Sequence, residues 1–287
     1  MKFVDVKTDL AFRKIFGNEA KKQALLSFLN AILRLKEDRR ITYLTILYPY
    51  QLPKIKDGKT TIIDVKAKDK AGKEYIVEMQ VAEVDSFDKR VLYYTSKSFA
   101  DQIERGSLYK QLSPIIFIGI LDFNYTNSPK YLSSHKILDI ETHENYLNDI
   151  EYHFIELPKF NKTAEELDDL ADKWIYFIKN AENLNIIPDN IEDEGLENAY
   201  QDANKFNWTK EELAAYDYAL MRMQDEIGKW ELATRKVVQT AVQTAILDEK
   251  ASVIQNAILA GADNELIANI TGLSVAQIES IRISKPS

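Results

Sequence analysis

The sequence contains no cysteine and only three histidines among its 287 residues. Without cysteine, the chain cannot form disulfides, use a thiolate nucleophile, or hold an iron–sulfur cluster or a thiolate-bound zinc. The histidines, His135, His143 and His153, recur at intervals of eight and ten residues, which fits no zinc-binding motif. Glycine-rich phosphate loops and a GxSxG nucleophile motif are also missing, so nucleotide hydrolysis and serine catalysis are disfavoured.

Long apolar runs are missing as well. No stretch approaches the ~18 consecutive apolar residues that a membrane span needs. The first 14 residues, MKFVDVKTDLAFRK, carry a charge every few positions and contain no apolar signal-peptide segment. The composition, 45% hydrophobic and 29% charged, is typical of a globular protein. We therefore expect a cytoplasmic protein without membrane contact.

Charge is unevenly distributed along the chain. The total is acidic, with 37 Lys and Arg against 45 Asp and Glu. Residues 1–120, however, hold 22 basic against 15 acidic side chains, whereas residues 161–230 hold 7 against 17. A basic first part is compatible with a nucleic-acid partner, because phosphate contacts need cations. Simple variation of surface charge is the alternative.

The order of sequence patterns predicts an α/β core followed by helices. Apolar spacing indicates helices in the first part of the chain, and β-branched runs indicate strands. After Thr163, which begins a capping-box motif, the pattern is helical only. The predicted elements are helices at 18–35, 85–105 and 210–260, strands at 41–50, 113–123, 133–141 and 150–157, and a hairpin at 60–68 and 74–82.

The predicted hairpin carries two carboxylates and an amide. We expect Asp64 in the middle of the first strand, level with Glu78 in the second, and Gln80 on the same strand face as Glu78. Converging carboxylates among apolar neighbours favour a Mg²⁺ site, since this ion prefers oxygen ligands and buried charge needs a partner. Acidic residues are also common in hairpins, so a purely structural pair is the alternative.

These residues resemble the PD-(D/E)XK nuclease core, a restriction-endonuclease-like order of helix, three strands, helix and strand. More specifically, the chain is similar to the Rpn family, the recombination-promoting nucleases and putative transposases. Further blocks carry this resemblance over nearly the whole chain: TDLAFRKIFG (8–17), the segment beginning KRVLYYTSKSFADQ (89–121) and the ending AILAGADNELIANITGLSVAQIESI (257–281). It implies an α/β nuclease core with an α-helical C-terminal extension.

The resemblance implies a Mg²⁺-dependent DNA endonuclease, with Mn²⁺ as a substitute. Asp64 and Glu78 would be metal ligands, and Asp9 from the first helix could complete the metal shell. Either Thr8 or Asp9 could instead simply cap that helix. Gln102 and Tyr109, after the second helix, could approach the phosphate backbone.

Gln80 departs from the general pattern, which has lysine at this position. Glutamine can orient water or a phosphate oxygen but supplies no positive charge. Lys66, on the same predicted strand face as Asp64, could replace the missing cation, or it could be a solvated surface charge. The departure leaves open a catalytically silent DNA-binding or scaffold protein, and RNA as substrate is a third hypothesis.

We divide the chain into a nuclease core at 1–160, an acidic helical extension at 161–230 and a helical tail at 231–287. The tail contains a repeated QTA triplet and ends in a helix-turn-helix-like pair at 263–270 and 274–282, for which DNA reading and a protein-docking or dimerising role are both open. The small residues of the repeat predict a helix that packs against a copy of itself, so a homodimer through the C-terminal helices is expected. The residues predicted to form the internal face of the pair are Leu266, Ile267, Ile270, Leu273, Val275 and Ile278.

Overall fold

The computed structural model describes residues 1–47, 50–51, 61–103, 106, 108–189 and 191–283. The chain divides into two compact units, Met1–Ile227 and Gly228–Ser287. The boundary falls within a long helix, α6 (Lys210–Leu259), which was predicted at 210–260. No helix in the described ranges is both long enough and apolar enough to span a membrane.

The first unit is built on a six-stranded mixed sheet with helices packed against it. The strands are β1 (Leu44–Leu47), β2 (Tyr50–Gln51), β3 (Thr61–Ile62), β4 (Val65–Asp69), β5 (Glu74–Gln80), β6 (Ile115–Leu121), β7 (Leu132–Ile137) and β8 (Leu147–Glu156). The α-helices that precede α6 are α1 (Asp9–Phe16), α2 (Gln23–Ile32), α3 (Phe87–Asp101), α4 (Leu170–Asn180) and α5 (Glu194–Ala203). Single 3₁₀ turns lie at Glu19–Lys21, Glu37–Arg39, Tyr109–Gln111, Leu157–Lys159, Ala164–Glu166, Ala181–Asn183 and Lys205–Asn207.

The strand order in the large sheet is β1-β4-β5-β6-β8-β7. Strands β1, β4 and β5 form an antiparallel meander, while β5, β6 and β8 run parallel and β7 is antiparallel to β8. Helix α3 connects the parallel strands β5 and β6, as such a crossover requires. Strands β2 and β3 pair separately. The order of helix, three strands, helix and strand confirms the predicted nuclease-like core with a helical extension.

The two faces of the sheet have different neighbours. Val77 and Met79 point towards the core that contains α1, α2, α4 and α5, and we call this side the helix-layer face. Ile76 points to the other side, where it packs in a second core with residues of α3, and we call this the α3 face. Because side chains alternate along a strand, Glu78 and Gln80 lie on the α3 face with Ile76.

Aromatic side chains hold α1 and α2 against α4. The Phe16 ring lies 5.2 Å from the Phe28 ring and 5.6 Å from Trp174, centroid to centroid. The Trp174 indole Nε1 also donates a hydrogen bond to Ser27 Oγ at 3.0 Å. All three rings are fully buried, and each buried aromatic contributes a large apolar area to the core. This packing fixes α1, α2 and α4 against one another.

Two predicted helices have different bounds in the structure. The segment 18–35 contains α2 only from Gln23, after a 3₁₀ turn. The helix predicted at 85–105 runs from Phe87 to Asp101 with Gln102 as its C-cap, and residues 104–105 lie outside the described residues. The Gln102 amide side chain bonds to the Ser113 backbone just beyond the end of the helix.

The predicted strands and the predicted capping box are present, but their bounds differ from the predicted ones. The strand expected at 41–50 begins at Leu44, and its residues 48–49 lie outside the described residues. The hairpin expected from residue 60 has its first strand only from Val65. The capping box at Thr163 is present, but it caps a 3₁₀ turn, and the helix begins at Leu170. Three residues separate the 3₁₀ turn from α4, and the last of them, Asp169, is the N-cap of α4.

The second unit contains the rest of α6, followed by α7 (Asn264–Thr271) and α8 (Val275–Ile283). Gly272 separates α7 from α8 at φ +69°, a left-handed conformation that favours glycine. The buried residues of this small core are Ile254, Ile267 and Ile278. The predicted internal face is partly wrong, because such short helices bury only about one residue per turn and leave exposed Leu266 (50%), Ile270 (59%) and Val275 (39%).

Candidate active site

The sequence predicted Asp64 in the middle of a strand, but in the structure Asp64 lies just before one. Strand β4 begins at Val65, and Asp64 occupies the break that separates it from β3. Its carboxylate Oδ2 accepts a hydrogen bond from the Met79 amide at 2.9 Å, and its own amide donates to Glu78 Oε1 at 3.1 Å. These side-chain bonds replace the ladder pairing at this point, which is why the strand is interrupted.

The register of the hairpin brings the two acids together. Val65 is paired with Val77, so the residue before β4 lies level with Glu78. The Asp64 side chain is 12% exposed, and Glu78 is 9% exposed. Two carboxylates thus meet at the end of the hairpin in a nearly dry environment.

Burial changes the proton affinity of both acids. The pKa of Glu78 lies well above its ordinary value, first because the carboxyl is desolvated and second because the Asp64 charge is close. The pKa of Asp64 is also raised by burial, although the Met79 amide and Arg13 oppose the effect. An environment that disfavours two negative charges so strongly will gain stability from a bound cation.

Helix α1 adds an arginine and an acid to the site. Arg13 Nη2 donates to Asp64 Oδ1 at 3.0 Å. Thr8 caps the helix, accepting from the Ala11 amide, and Asp9 occupies the first helical position. Asp9 is one turn from Arg13 on the same helix face, and its charge contributes to the raised pKa of Asp64. Asp9 therefore lies near the carboxylate pair, while the cap belongs to Thr8.

Arg90 on α3 supplies a positive charge that the sequence reading missed. Its Nη2 donates to Gln80 Oε1, and the Gln80 Nε2 donates to the Ala82 carbonyl at 2.7 Å. The Arg90 charge also lowers the pKa of Glu78, in opposition to burial. Gln80 and Arg90 thus form a pair at the place where the general pattern has a lysine. No local motif marks Arg90, because its position depends on how α3 packs against β5.

Lys66 is engaged away from the carboxylate pair. Its Nζ forms an ion pair with Glu74 Oε2 at 2.8 Å, and both side chains are nearly buried, at 11% and 7% exposure. Lys68 lies 4.0 Å from the other Glu74 oxygen and is 42% exposed. The structure therefore places Lys66 in a structural ion pair at the other end of the hairpin.

The residues expected near the phosphate backbone differ in their environment. The Gln102 amide makes two hydrogen bonds with the Ser113 backbone, at 3.0 and 2.7 Å, which tie the end of α3 to the start of β6. Tyr109 is 83% exposed and free to contact a ligand. Tyr94 borders the carboxylates: burial raises its pKa, and the charges of Glu78 and Asp64 add to this rise.

Removing Lys66 tests its structural role. Lys66→Ala should lower the free energy of unfolding by about 3 kcal/mol, because it leaves the buried Glu74 carboxylate with only the more distant, exposed Lys68 as a partner. Divalent-metal affinity should be unchanged. Urea unfolding and metal titration measure the two quantities. Lys68→Ala is the matched control, and it should cost far less because Lys68 is more exposed and more distant. A selective loss of metal affinity in Lys66→Ala would instead place this lysine in the site.

The donor set at the hairpin end fits a divalent metal. Asp64 and Glu78 provide carboxylate oxygens, the ligands that Mg²⁺ and Mn²⁺ prefer. Across the described residues, no three or more His, Asp or Glu side chains are already gathered around a single point. Water and substrate phosphate commonly complete the coordination of Mg²⁺, so two protein carboxylates are a sufficient start.

The mixed sheet with its βαβ crossover is the fold that the resemblance to nucleases implied, and the buried acid pair lies at the end of its hairpin. The chain belongs to the family described as PD-(D/E)XK nuclease family transposase, whose model matches residues 6–233. This membership agrees with the resemblance to the Rpn nucleases and indicates a nuclease or transposase-like function. No curated protein and no solved structure gave a significant match.

Proposed function

We propose that the protein is a Mg²⁺-dependent endonuclease that hydrolyses phosphodiester bonds in DNA. The observation that carries this proposal is the buried pair Asp64 and Glu78, whose carboxylates lie close together and whose pKa values are raised by burial and, for Glu78, by the Asp64 charge. Family membership supports the reaction class. The basic excess of residues 1–120 supports a polyanionic substrate.

In this proposal Asp64 and Glu78 hold the metal, and Asp9 from α1 completes its shell. A bound divalent metal supplies a Lewis acid for the phosphodiester and lowers the pKa of a coordinated water. Gln80 orients the attacking water or a phosphate oxygen, and Arg90 provides the positive charge next to it. Arg13 keeps the Asp64 carboxylate in place through its hydrogen bond.

Cleavage of supercoiled plasmid tests the proposal. We expect nicking in Mg²⁺ or Mn²⁺, loss of nicking in EDTA and recovery on adding metal back. Cleavage that persists in chelator would contradict the metal mechanism. Matched DNA and RNA duplexes in the same assay separate the DNA hypothesis from the RNA hypothesis, since a metal-held phosphodiester site does not itself distinguish the two sugars.

A catalytically silent DNA-binding or scaffold protein is the alternative, and Gln80 is the feature that favours it. The Arg90 contact weakens this alternative, because it restores a cation next to Gln80. A silent protein should still retard DNA in a gel but should bind Mn²⁺ no better than an ordinary surface. We also propose that the protein works in the cytoplasm, in recombination, mobile-element or defence processes.

The charge on Glu78 should make the metal-free protein less stable at neutral pH. Because its pKa is raised in the folded state, folded protein retains a proton that the unfolded chain loses above about pH 4.5. The free energy of unfolding of the metal-free protein therefore falls as the pH rises from about 4.5 to the raised pKa of Glu78. In EDTA, Glu78→Gln should melt above wild type at pH 7, and the difference should shrink near pH 4. A lower melting temperature for the variant at pH 7 would contradict this account of the site.

We assign chemistry to the nuclease core at 1–160 with its extension at 161–230, and assembly to the tail at 231–287. The part of α6 in the second unit exposes apolar side chains, which single helices in water normally bury. A second copy of the same helix is the partner we propose, giving a homodimer. The exposed apolar residues include Trp230, Val237, Val238, Val242 and Ile246.

Charges on this helix test the homodimer. Val238→Glu/Val242→Glu should dissociate the dimer, because it places charges in an apolar interface. The matched control Gln239→Glu/Gln243→Glu adds the same charge to neighbouring positions of α6 and should leave the mass unchanged. Light scattering gives the molar mass of each variant. A monomeric wild type, or equal masses for both variants, would refute dimerisation through this face.

A further inference from the structure

A cavity lies within the first unit, on the helix-layer face of the sheet. Its volume is about 620 Å³, within the range of small-molecule sites. Tyr75, Ile116 and His153, from three neighbouring strands, line it, together with residues 38–43 and the hairpin turn at 69–73. Tyr75 and Glu78 point to opposite faces, since they are three positions apart on β5, so the cavity is separate from the candidate active site.

Cations outnumber carboxylates around this cavity. Asp69, one of the lining acids, already accepts hydrogen bonds from the Lys73 amide at 3.0 Å and the Tyr75 hydroxyl at 2.9 Å. Glu151, another lining acid, is paired with Lys136 at 2.9 Å. The remaining acid is Asp38. The lining cations are Arg39, Arg40, Lys70, Lys73 and Lys136.

Several of these cations have no anionic partner within the described part of the chain. Arg39 and Arg40 are exposed at the rim, and the Lys73 side chain is half-buried in the wall. None of the three forms an ion pair with a described residue, whereas Lys70 lies over the Tyr43 ring at 5.5 Å. Neighbouring like charges repel one another, so an anionic ligand would relieve their repulsion.

The floor of the cavity also contains a buried polar atom without a partner. His153 is 6% exposed, and its Nδ1 bonds to Ser134 Oγ at 2.9 Å. Its Nε2 has no hydrogen-bond partner in the described structure, and the nearest Glu151 oxygen is 3.6 Å away. Burial lowers the pKa of His153, so the ring is neutral at pH 7 and can donate or accept one hydrogen bond. Such a group needs a partner.

We propose that this cavity binds a small phosphorylated ligand of about mononucleotide size. One guanidinium group can bind two oxygens of a phosphate through two parallel hydrogen bonds. Two consecutive arginines with a nearby lysine can therefore offset the charge of more than one phosphate. The volume suits a free ligand with a ring system. Binding here would be independent of the proposed nuclease chemistry, because no residue of the carboxylate pair lines the cavity.

Titration calorimetry with ADP in EDTA-containing buffer tests this site in the full chain, since the chelator removes any contribution from a bound metal. We expect saturable binding that weakens about tenfold or more in Arg39→Ala/Arg40→Ala, the loss expected when charge-assisted hydrogen bonds are removed. Lys130→Ala/Arg222→Ala is the matched control, because it also removes two exposed cations and should bind like wild type. Inorganic phosphate should compete with ADP.

Further outcomes decide the identity of the ligand. His153→Gln should weaken ADP binding while the melting temperature stays near wild type, and circular dichroism checks the fold. Absent binding, or equal binding by both double variants, would overturn the proposal. Binding of a single-stranded oligonucleotide that neither ADP nor phosphate displaces would also overturn it, because the cations would then belong to a nucleic-acid track.

Discussion

Glu78→Gln should lower metal-dependent DNA cleavage by about a hundredfold to a thousandfold, the loss typical when one group that stabilises the transition state is removed. The amide keeps the size of the side chain but lacks the negative charge that holds a divalent cation. Asp64→Asn should have a comparable effect. Initial rates of plasmid nicking at saturating Mg²⁺ measure it.

Matched controls separate this chemistry from general damage. Glu83→Gln and Asp85→Asn make the same changes at exposed positions just after β5 and should leave cleavage unchanged. The site variants should melt at or above the wild-type temperature, because each removes one of two repelling acids. Wild-type cleavage by either site variant would refute the assignment of the pair. A collapse in stability of both would favour a structural role.

Arg90→Ala should lower the cleavage rate by about a hundredfold, since it removes the only described cation that contacts Gln80. The loss should fall on kcat more than on KM if Arg90 acts on the transition state rather than on general DNA affinity. Lys89→Ala is the matched control, because Lys89 is a neighbouring exposed cation on the same helix.

Moving the charge from α3 to β5 gives a sharper test of this pair. Gln80→Lys places a cation at the position where the general nuclease pattern has one. In the Arg90→Ala background it should recover much of the lost rate, whereas alone it sets two cations side by side and should gain little. Equal effects of Gln80→Lys in both backgrounds would show that the two positions act independently.

The hairpin and the crossover could be predicted from the sequence because their signals are local. The aromatic and β-branched residues of EYIVEMQ and the continuous apolar run of β6 indicate strands directly. The break at Asp64 could not be predicted in this way, since Ile63, Asp64 and Val65 read as one continuous strand. It depends on a hydrogen bond to Met79, which only the folded hairpin provides.

Both arginines at the site depend on tertiary packing, and the sequence reading missed them. Arg13 could have been found from its spacing, because it lies one helical turn after Asp9 on a helix whose opposite face is apolar. Arg90 has no such signal. The same dependence explains Lys66, whose partner, Glu74, lies diagonally across the hairpin.

Binding of Mn²⁺, followed by electron paramagnetic resonance of the free ion, tests the central claim most directly, namely that Asp64 and Glu78 together hold a divalent metal. Wild type should bind Mn²⁺ at a saturable site, and added Mg²⁺ should displace the Mn²⁺ from it. The site should be lost in Asp64→Asn and in Glu78→Gln but retained in Glu83→Gln. Undiminished Mn²⁺ binding in both site variants, or binding by wild type no stronger than by an unrelated acidic protein, would contradict the account.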